Sequence, residues 1–113
     1  MSPSQRDDYI LRQARAIAAI LARVAGLRLE GNPERARAGL EEAYTMLLGS
    51  QSGLIRRVDS ATASKLIGPS ENILSFSQLV EEEAEQEGDE GRRALLRARA
   101  LELRRHVEQK EPR

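Results

Sequence analysis

Glu30-Gly31-Asn32-Pro33-Glu34-Arg35 decides how this chain folds. Glycine reaches the left-handed backbone that ends a helix, and asparagine caps the helix that follows. Proline suits the first helical position because its missing N–H is not needed there. One helix therefore stops at about Glu30 and another starts at Pro33. A connection this short forces the two antiparallel. Glu87-Gly88-Asp89-Glu90-Gly91-Arg92 repeats the device at an offset of 57 residues, which also aligns Ala43 with Ala100. The repeat predicts a second hairpin.

Working outward, Ser4-Gln5-Arg6-Asp7 reads as a capped start, with a hydroxyl before the first turn and carboxylates within it. The second helix reaches about Leu48, where Gly49-Ser50-Gln51-Ser52-Gly53 breaks the chain. Short helices are expected over 54–58 and 61–67, the latter capped by Asp59 or Ser60. Gly68-Pro69-Ser70 opens a helix running to about Glu87, and the last helix runs to about Gln109. The expected fold is a single all-α domain of about five or six helices. Hairpin one covers 4–48, a short-helix insert 49–69, hairpin two 70–110, and a frayed tail 111–113.

Composition supports helix and excludes several classes. Ala and Leu supply 15 residues each, and no segment alternates apolar and polar with the period of a strand. The chain has 113 residues, enough for one core without disulfides or metal. With no Cys, thiol catalysis and thiolate metal sites are ruled out. Eighteen basic residues balance eighteen acidic ones, so the net charge lacks the excess that nucleic acid or an anionic membrane attracts. No apolar window is long enough to span a bilayer, and the polar first residues lack a signal-peptide core. The cytoplasm is the expected location.

Gly31-Asn32 leads to Ala36, Leu40 and Ala43, with Ile20, Val24 and Leu27 at facing positions of the first helix. In this the first hairpin resembles a tetratricopeptide unit. The second hairpin departs from that pattern, because Arg93 and Arg97 stand where Ala36 and Leu40 do. More of the chain, from Arg6-Asp7-Asp8-Tyr9-Ile10-Leu11-Arg12 through Gly26-Leu27, Leu47-Leu48-Gly49 and Gly88-Asp89, is similar to a family of small bacterial helical proteins. That resemblance implies two tetratricopeptide-like hairpins around a short-helix insert, and no activity.

Helical projection at 100° per residue gives the first helix a central stripe of Ile10, Ala14, Ile17, Leu21 and Val24. Further apolar residues widen it to roughly twice the ~100° of an ordinary surface helix. Ala18 and Ala22 are tolerable at a surface, whereas Leu11 and Leu29 call for a partner. The last helix carries two stripes, Leu96, Ala100, Leu103 and Val107 on one side and Ala94, Ala98 and Leu101 on the other. Two stripes imply two neighbours, within the chain or across a homodimer. Leu11, Leu29, Leu96, Leu103 and Val107 are thus the candidate self-association residues. Arg12, Arg15 and Arg23 form the polar wedge of the first helix and are the candidate partner-binding residues.

Residues 81–90 hold seven carboxylates and no base, and residues 91–105 hold six Arg against Glu102 alone. Across an antiparallel hairpin these blocks face each other, and Glu83 and Glu87 are expected to meet Arg on the last helix. The run lacks the interleaved Gly of a calcium loop. Glu102 and the sole His106 lie four apart and lack the spacing of a di-iron bundle, so no metal or cofactor is assigned. One His near a helix end is a poor base for the serines, so no catalytic residue is assigned and the chain reads as a non-enzyme. The expected function is a non-catalytic interaction or assembly module that self-associates as a homodimer. Its groove would lie between the first and last helices. The alternative is a nucleic-acid-associated protein using Arg56, Arg57, Arg92 and Arg93, which needs those Arg free of the acidic run.

Overall fold

A computed structural model describes residues 3–110. Among them are α1 (Pro3–Leu29), α2 (Pro33–Leu48), a 3₁₀ turn (Gly49–Gln51), α3 (Ser52–Arg57), α4 (Ser60–Ile67), α5 (Ser70–Gln86) and α6 (Glu90–Lys110), with no strand. The fold is all-α. The expected tail at 111–113 lies outside the described residues. Helix α1 already includes Pro3, so Ser4 stands inside the helix and is not its cap.

The two turns share one half of their design. Asn32 Oδ1 accepts from Arg35 N at 3.5 Å, and Asp89 Oδ2 accepts from Arg92 N at 2.8 Å. Gly31 takes the left-handed φ of +79°, whereas Gly88 is not among the glycines at positive φ. Instead, Arg93 closes the second turn by donating from Nε and Nη2 to the Glu87 carbonyl at 3.1 and 2.6 Å. A side chain does there what backbone geometry does in the first turn.

Both pairs are antiparallel. In hairpin one, Gln13 in the first half of α1 donates to the Met46 carbonyl near the end of α2, and Arg23, further along α1, meets the earlier Glu42 of α2 at 3.3 Å. The helices close to where a Cβ on Gly39 would lie 2.6 Å from the buried Val24 Cγ2. In hairpin two, Glu87 faces Arg92, Glu85 faces Arg97 and Glu81 faces Arg104. Helix α5 packs against both α1 and α2, joining the hairpins, while α4 packs on α6.

One core unites every helix. It includes Ile17 and Val24 of α1, Leu40 and Tyr44 of α2, Ile55 of α3, Ala63 of α4, Phe76 and Leu79 of α5, and Leu103 of α6. Tyr44 and Phe76 meet edge to face at 6.0 Å. The core-facing residues of α2 and α5 follow the helical period of the sequence. No helix among the described residues is long and apolar enough to cross a membrane.

Candidate docking groove

The apolar surplus of the sequence divides between core and surface. Leu103 is fully buried, Val107 is 7% exposed and Leu96 packs against the core, so this stripe of α6 is consumed within the chain. The expectation that these three mediate self-association is therefore corrected: α5 and α4 already cover that face of α6. Its opposite stripe is open, with Ala94, Leu95, Ala98 and Leu101 exposed. Leu11 and Leu29 on α1 also remain exposed, at 47% and 78%.

The expected Arg cluster does not assemble. Arg12 and Arg15 line one depression with Gln5, Asp8 and Leu11 at the start of α1. Arg23 turns toward α2, where it pairs with Glu42 beside Leu27 and Gly39. Eight residues separate Arg15 from Arg23, which is more than two helical turns, so they do not read as one site.

A groove opens between α1 and α5. Leu11 and Ala14 sit beside Glu71 and Leu74, Ala18 beside Gln78, and Ala22 and Ala25 beside Glu81, Glu82 and Glu85. Starts lie with starts and ends with ends, so α1 and α5 run parallel. The two sections share Ala18 and Gln78, and enclose about 560 and 310 Å³. From Leu11 to Ala25 the trough is about 21 Å long at 1.5 Å per residue. Arg97 of α6 edges its far end. The groove therefore falls between the first and fifth helices and not the first and last, because α5 nests against hairpin one and α6 stands behind it.

Its floor is made by small residues, and its polar wall is internally paired at Glu81, Glu82 and Glu85, whereas Arg15 and Glu71 stand exposed along the Leu11 end. Ala14, Ala18, Ala22 and Ala25 recur at three- and four-residue spacing on α1. On the α5 wall, the buried Glu82 accepts from Arg28 Nε and Nη2 at 2.9 and 3.3 Å and from Gln86 at 3.2 Å. That hydrogen bond, with Glu85 beside it, raises the Arg28 pKa above its usual value despite some burial. Glu85 meets Arg97 at 3.2 Å, and Glu81 pairs with Arg104. The sequence reading missed this wall. Its signal was present as Leu74, Gln78, Glu81, Glu82 and Glu85, a helical face opposite the apolar stripe of α5.

The other candidate chemistries are dispersed. Glu83 meets the Tyr44 hydroxyl and Arg56, not the expected Arg on the last helix, because its turn of α5 faces α2 and α3. Glu102 accepts from Ser60 Oγ at 3.2 Å, and the half-buried His106 lies near the end of α6. Among the described residues, no group of three His, Asp or Glu side chains is arranged to hold a metal ion. Arg56 lies between Glu41 and Glu83, Arg57 donates to the Gly53 carbonyl, and Arg93 is spent on Glu87. No family model, curated protein or solved structure matches the chain.

Proposed function

We propose that this protein is a non-catalytic interaction module, tetratricopeptide-like in build, that docks a helical segment of a partner in the α1–α5 groove. The observation that carries this reading is the alanine floor. Cβ-only side chains let a visiting helix approach inside the usual 8–10 Å interaxial distance, and the trough accommodates about four helical turns. Leu11 and Leu74 at one mouth supply exposed apolar anchors. The paired carboxylates Glu81, Glu82 and Glu85 give orientation without presenting an unpaired charge to be desolvated, and the exposed Arg15 and Glu71 at the Leu11 end suit a partner with polar residues there. The parallel run of α1 and α5 supports the repeat-like reading, since stacked hairpins present their first helices to one concave side.

A benzophenone amino acid placed at Ala22 tests this reading against one placed at Arg37, on the exposed face of α2. Adducts are expected from Ala22 and not from Arg37, and Ala18→Arg, which fills the trough from an exposed position, is expected to abolish them. Equal adduct yields at the two positions, or yields indifferent to Ala18→Arg, would sink the groove as the docking face. Leu11 also suits a second copy of this chain as the occupant. Light scattering across a hundredfold concentration range identifies that case by a dimer mass that Ala18→Arg returns to a monomer.

A further inference from the structure

On the far side of α5 from the groove, the side chain of Arg56 occupies a cradle built by the two hairpins. Its guanidinium carbon stands 3.8 Å from the centre of the Tyr44 ring. Its two terminal nitrogens donate to the Glu41 carboxylate at 2.7 and 3.1 Å, and one donates to Glu83 Oε1 at 3.3 Å. Glu83 is fixed in turn by the Tyr44 hydroxyl, which donates to it at 2.6 Å. A planar aromatic face, a bidentate carboxylate and a second carboxylate match the shape and donor fork of guanidinium, and discriminate it from ammonium. The cradle is also reachable: the Arg56 side chain is 27% exposed and the Glu41 side chain 54%.

The segment that brings Arg56 there is anchored to the core at Ile55 and Val58 and otherwise lies at the surface. Of residues 49–57, Ile55 alone is buried. Its helical bonds are local, as in Val58 N to the Leu54 carbonyl, and Arg57 Nε returns to the Gly53 carbonyl. From hairpin two, Arg99 donates to the Ile55 carbonyl at 3.0 Å. Gly49, at φ +62°, hinges one end, and the extended backbone of Val58 and Asp59 bounds the other. Glu41, Tyr44 and Glu83 belong to α2 and α5, outside this strap.

We propose that the Tyr44–Glu41–Glu83 cradle is a recognition site for an arginine side chain, filled in the free protein by Arg56 and uncovered to a partner's arginine by opening of the 49–58 strap. Apparent affinity is then reduced by the fraction of time the strap is open, and a variant without Arg56 escapes that reduction.

The test titrates acetyl-Ala-Arg-Ala-amide and its lysine counterpart into the wild type and Arg56→Ala, reading Tyr44 ring and Glu83 NMR shifts. Arg56→Gln serves if Arg56→Ala does not fold. Expected in the variant are shifts at Tyr44 with at least tenfold tighter binding of the arginine peptide than of the lysine peptide. In the wild type, expected results are at least tenfold weaker binding and faster hydrogen exchange over 52–58 as the peptide saturates, with α5 exchange unchanged. No Tyr44 response in the variant, equal response to lysine, or a strap whose exchange ignores the bound peptide would overturn the proposal.

Discussion

The two hairpins turn on sextets that share three of their six residues, and they close differently. Hairpin one closes through Gly39 against Val24, an approach so near that a Cβ on Gly39 would force the Val24 side chain to shift. Hairpin two buries Phe76, Leu79, Ala100 and Leu103 in the shared core and flanks them with a ladder of carboxylates and guanidiniums, leaving exposed apolar residues on the back of α6. Even the turns differ, one ended by a left-handed glycine and the other by Arg93 on a carbonyl. The N-cap is a local matter, since a short acceptor three residues before an N–H suffices wherever a helix starts. A left-handed C-terminal glycine is not local, because a tertiary donor can take over the freed carbonyl.

The largest effect separates the two faces of α6. Leu103→Glu places a charge at a fully buried site. It is expected to cost more than about 4 kcal/mol, enough to unfold a domain of marginal stability. Leu101→Glu, on the exposed stripe, is expected to stay within about 0.5 kcal/mol of wild type. Urea denaturation followed by circular dichroism reads both. Equal losses would mean that the outer stripe is as buried as the inner one, through an assembly.

Next comes the seam between the hairpins, where charge is buried. Arg28→Ala leaves Glu82, whose side chain is 8% exposed, facing the groove with Gln86 as its remaining donor. Breaking such a pair costs roughly 3 kcal/mol or more. Arg28→Ala with Glu82→Ala is expected to recover much of that loss, because the uncompensated charge leaves with its partner. No recovery in the double variant would show that packing of the Arg28 stem is what matters.

Glycine substitutions then sharpen the contrast in closure. Gly39→Ala gains about 1 kcal/mol of helix propensity. Against this stands an overpacking cost of about 1–3 kcal/mol, since the β-branched Val24 has no room to retreat, so a net loss is expected. Gly31→Ala is expected to lose roughly 1–2 kcal/mol at its left-handed φ. Gly88→Ala, with open space around it and no positive φ, is expected to gain about 0.4–1 kcal/mol. Opposite signs at two positions that align in sequence are the result to look for.

How much of this was legible in the sequence follows the same division. Helix ends at Gly31-Asn32-Pro33, Gly68-Pro69 and Asp89 were readable because caps and breakers act within three or four residues. The core faces of α2 and α5 were readable because the helical period is local too. The fate of the second α6 stripe was not, since a stripe of Leu and Ala does not say whether α4, another chain or water lies against it. Arg12, Arg15 and Arg23 failed as a cluster for a related reason: one polar wedge on a projected helix becomes two directions once α2 covers part of it. The groove wall on α5 was not legible because it is a polar face, and only the packing of α1 beside it makes it one side of a groove. Glu83 was misassigned because seven carboxylates in ten residues give no clue to which turn faces which helix.

Tyr44 offers a pH handle on the seam. Burial, reinforced by the charge and hydrogen bond of Glu83, pushes its phenol far above the ordinary tyrosine range. The folded state therefore holds this proton at pH values where the unfolded chain, titrating near about 10, has lost it. Stability from Tyr44 is complete below that value and declines above it, by about 1.4 kcal/mol per pH unit. Tyr44→Phe is expected to flatten that alkaline slope while lowering stability at neutral pH by about 1 kcal/mol for the lost hydrogen bond. An unchanged slope in Tyr44→Phe would assign the alkaline loss to other groups.

The smallest effect concerns the ladder that gives hairpin two its sequence signature. Arg97 and Glu85 have side chains 58% and 47% exposed, and Arg104 and Glu81 are 40% and 43% exposed. Exposed pairs contribute about 0–1 kcal/mol each, and salt screens them further. A double-mutant cycle on Arg97 and Glu85 is expected to give a coupling within that range, falling between 0.05 and 1 M salt on the order predicted by screening. Hairpin one, whose closure is steric, is expected to show no such salt dependence at Gly39. The most conspicuous charge pattern in the sequence would then be among the weakest contributors to its stability. The ladder's value is expected to lie in specificity instead, because the three pairs Glu87–Arg92, Glu85–Arg97 and Glu81–Arg104 fit the antiparallel register and a slipped register would break them. A charge-swapped variant, Glu85→Arg with Arg97→Glu, restores the pair but not its neighbours' pattern. Because Glu85 also lies 3.8 Å from Arg28, the swap sets two guanidiniums side by side, so it is expected to lose up to about 1 kcal/mol of stability and to slow refolding, and equal refolding rates would remove the specificity argument.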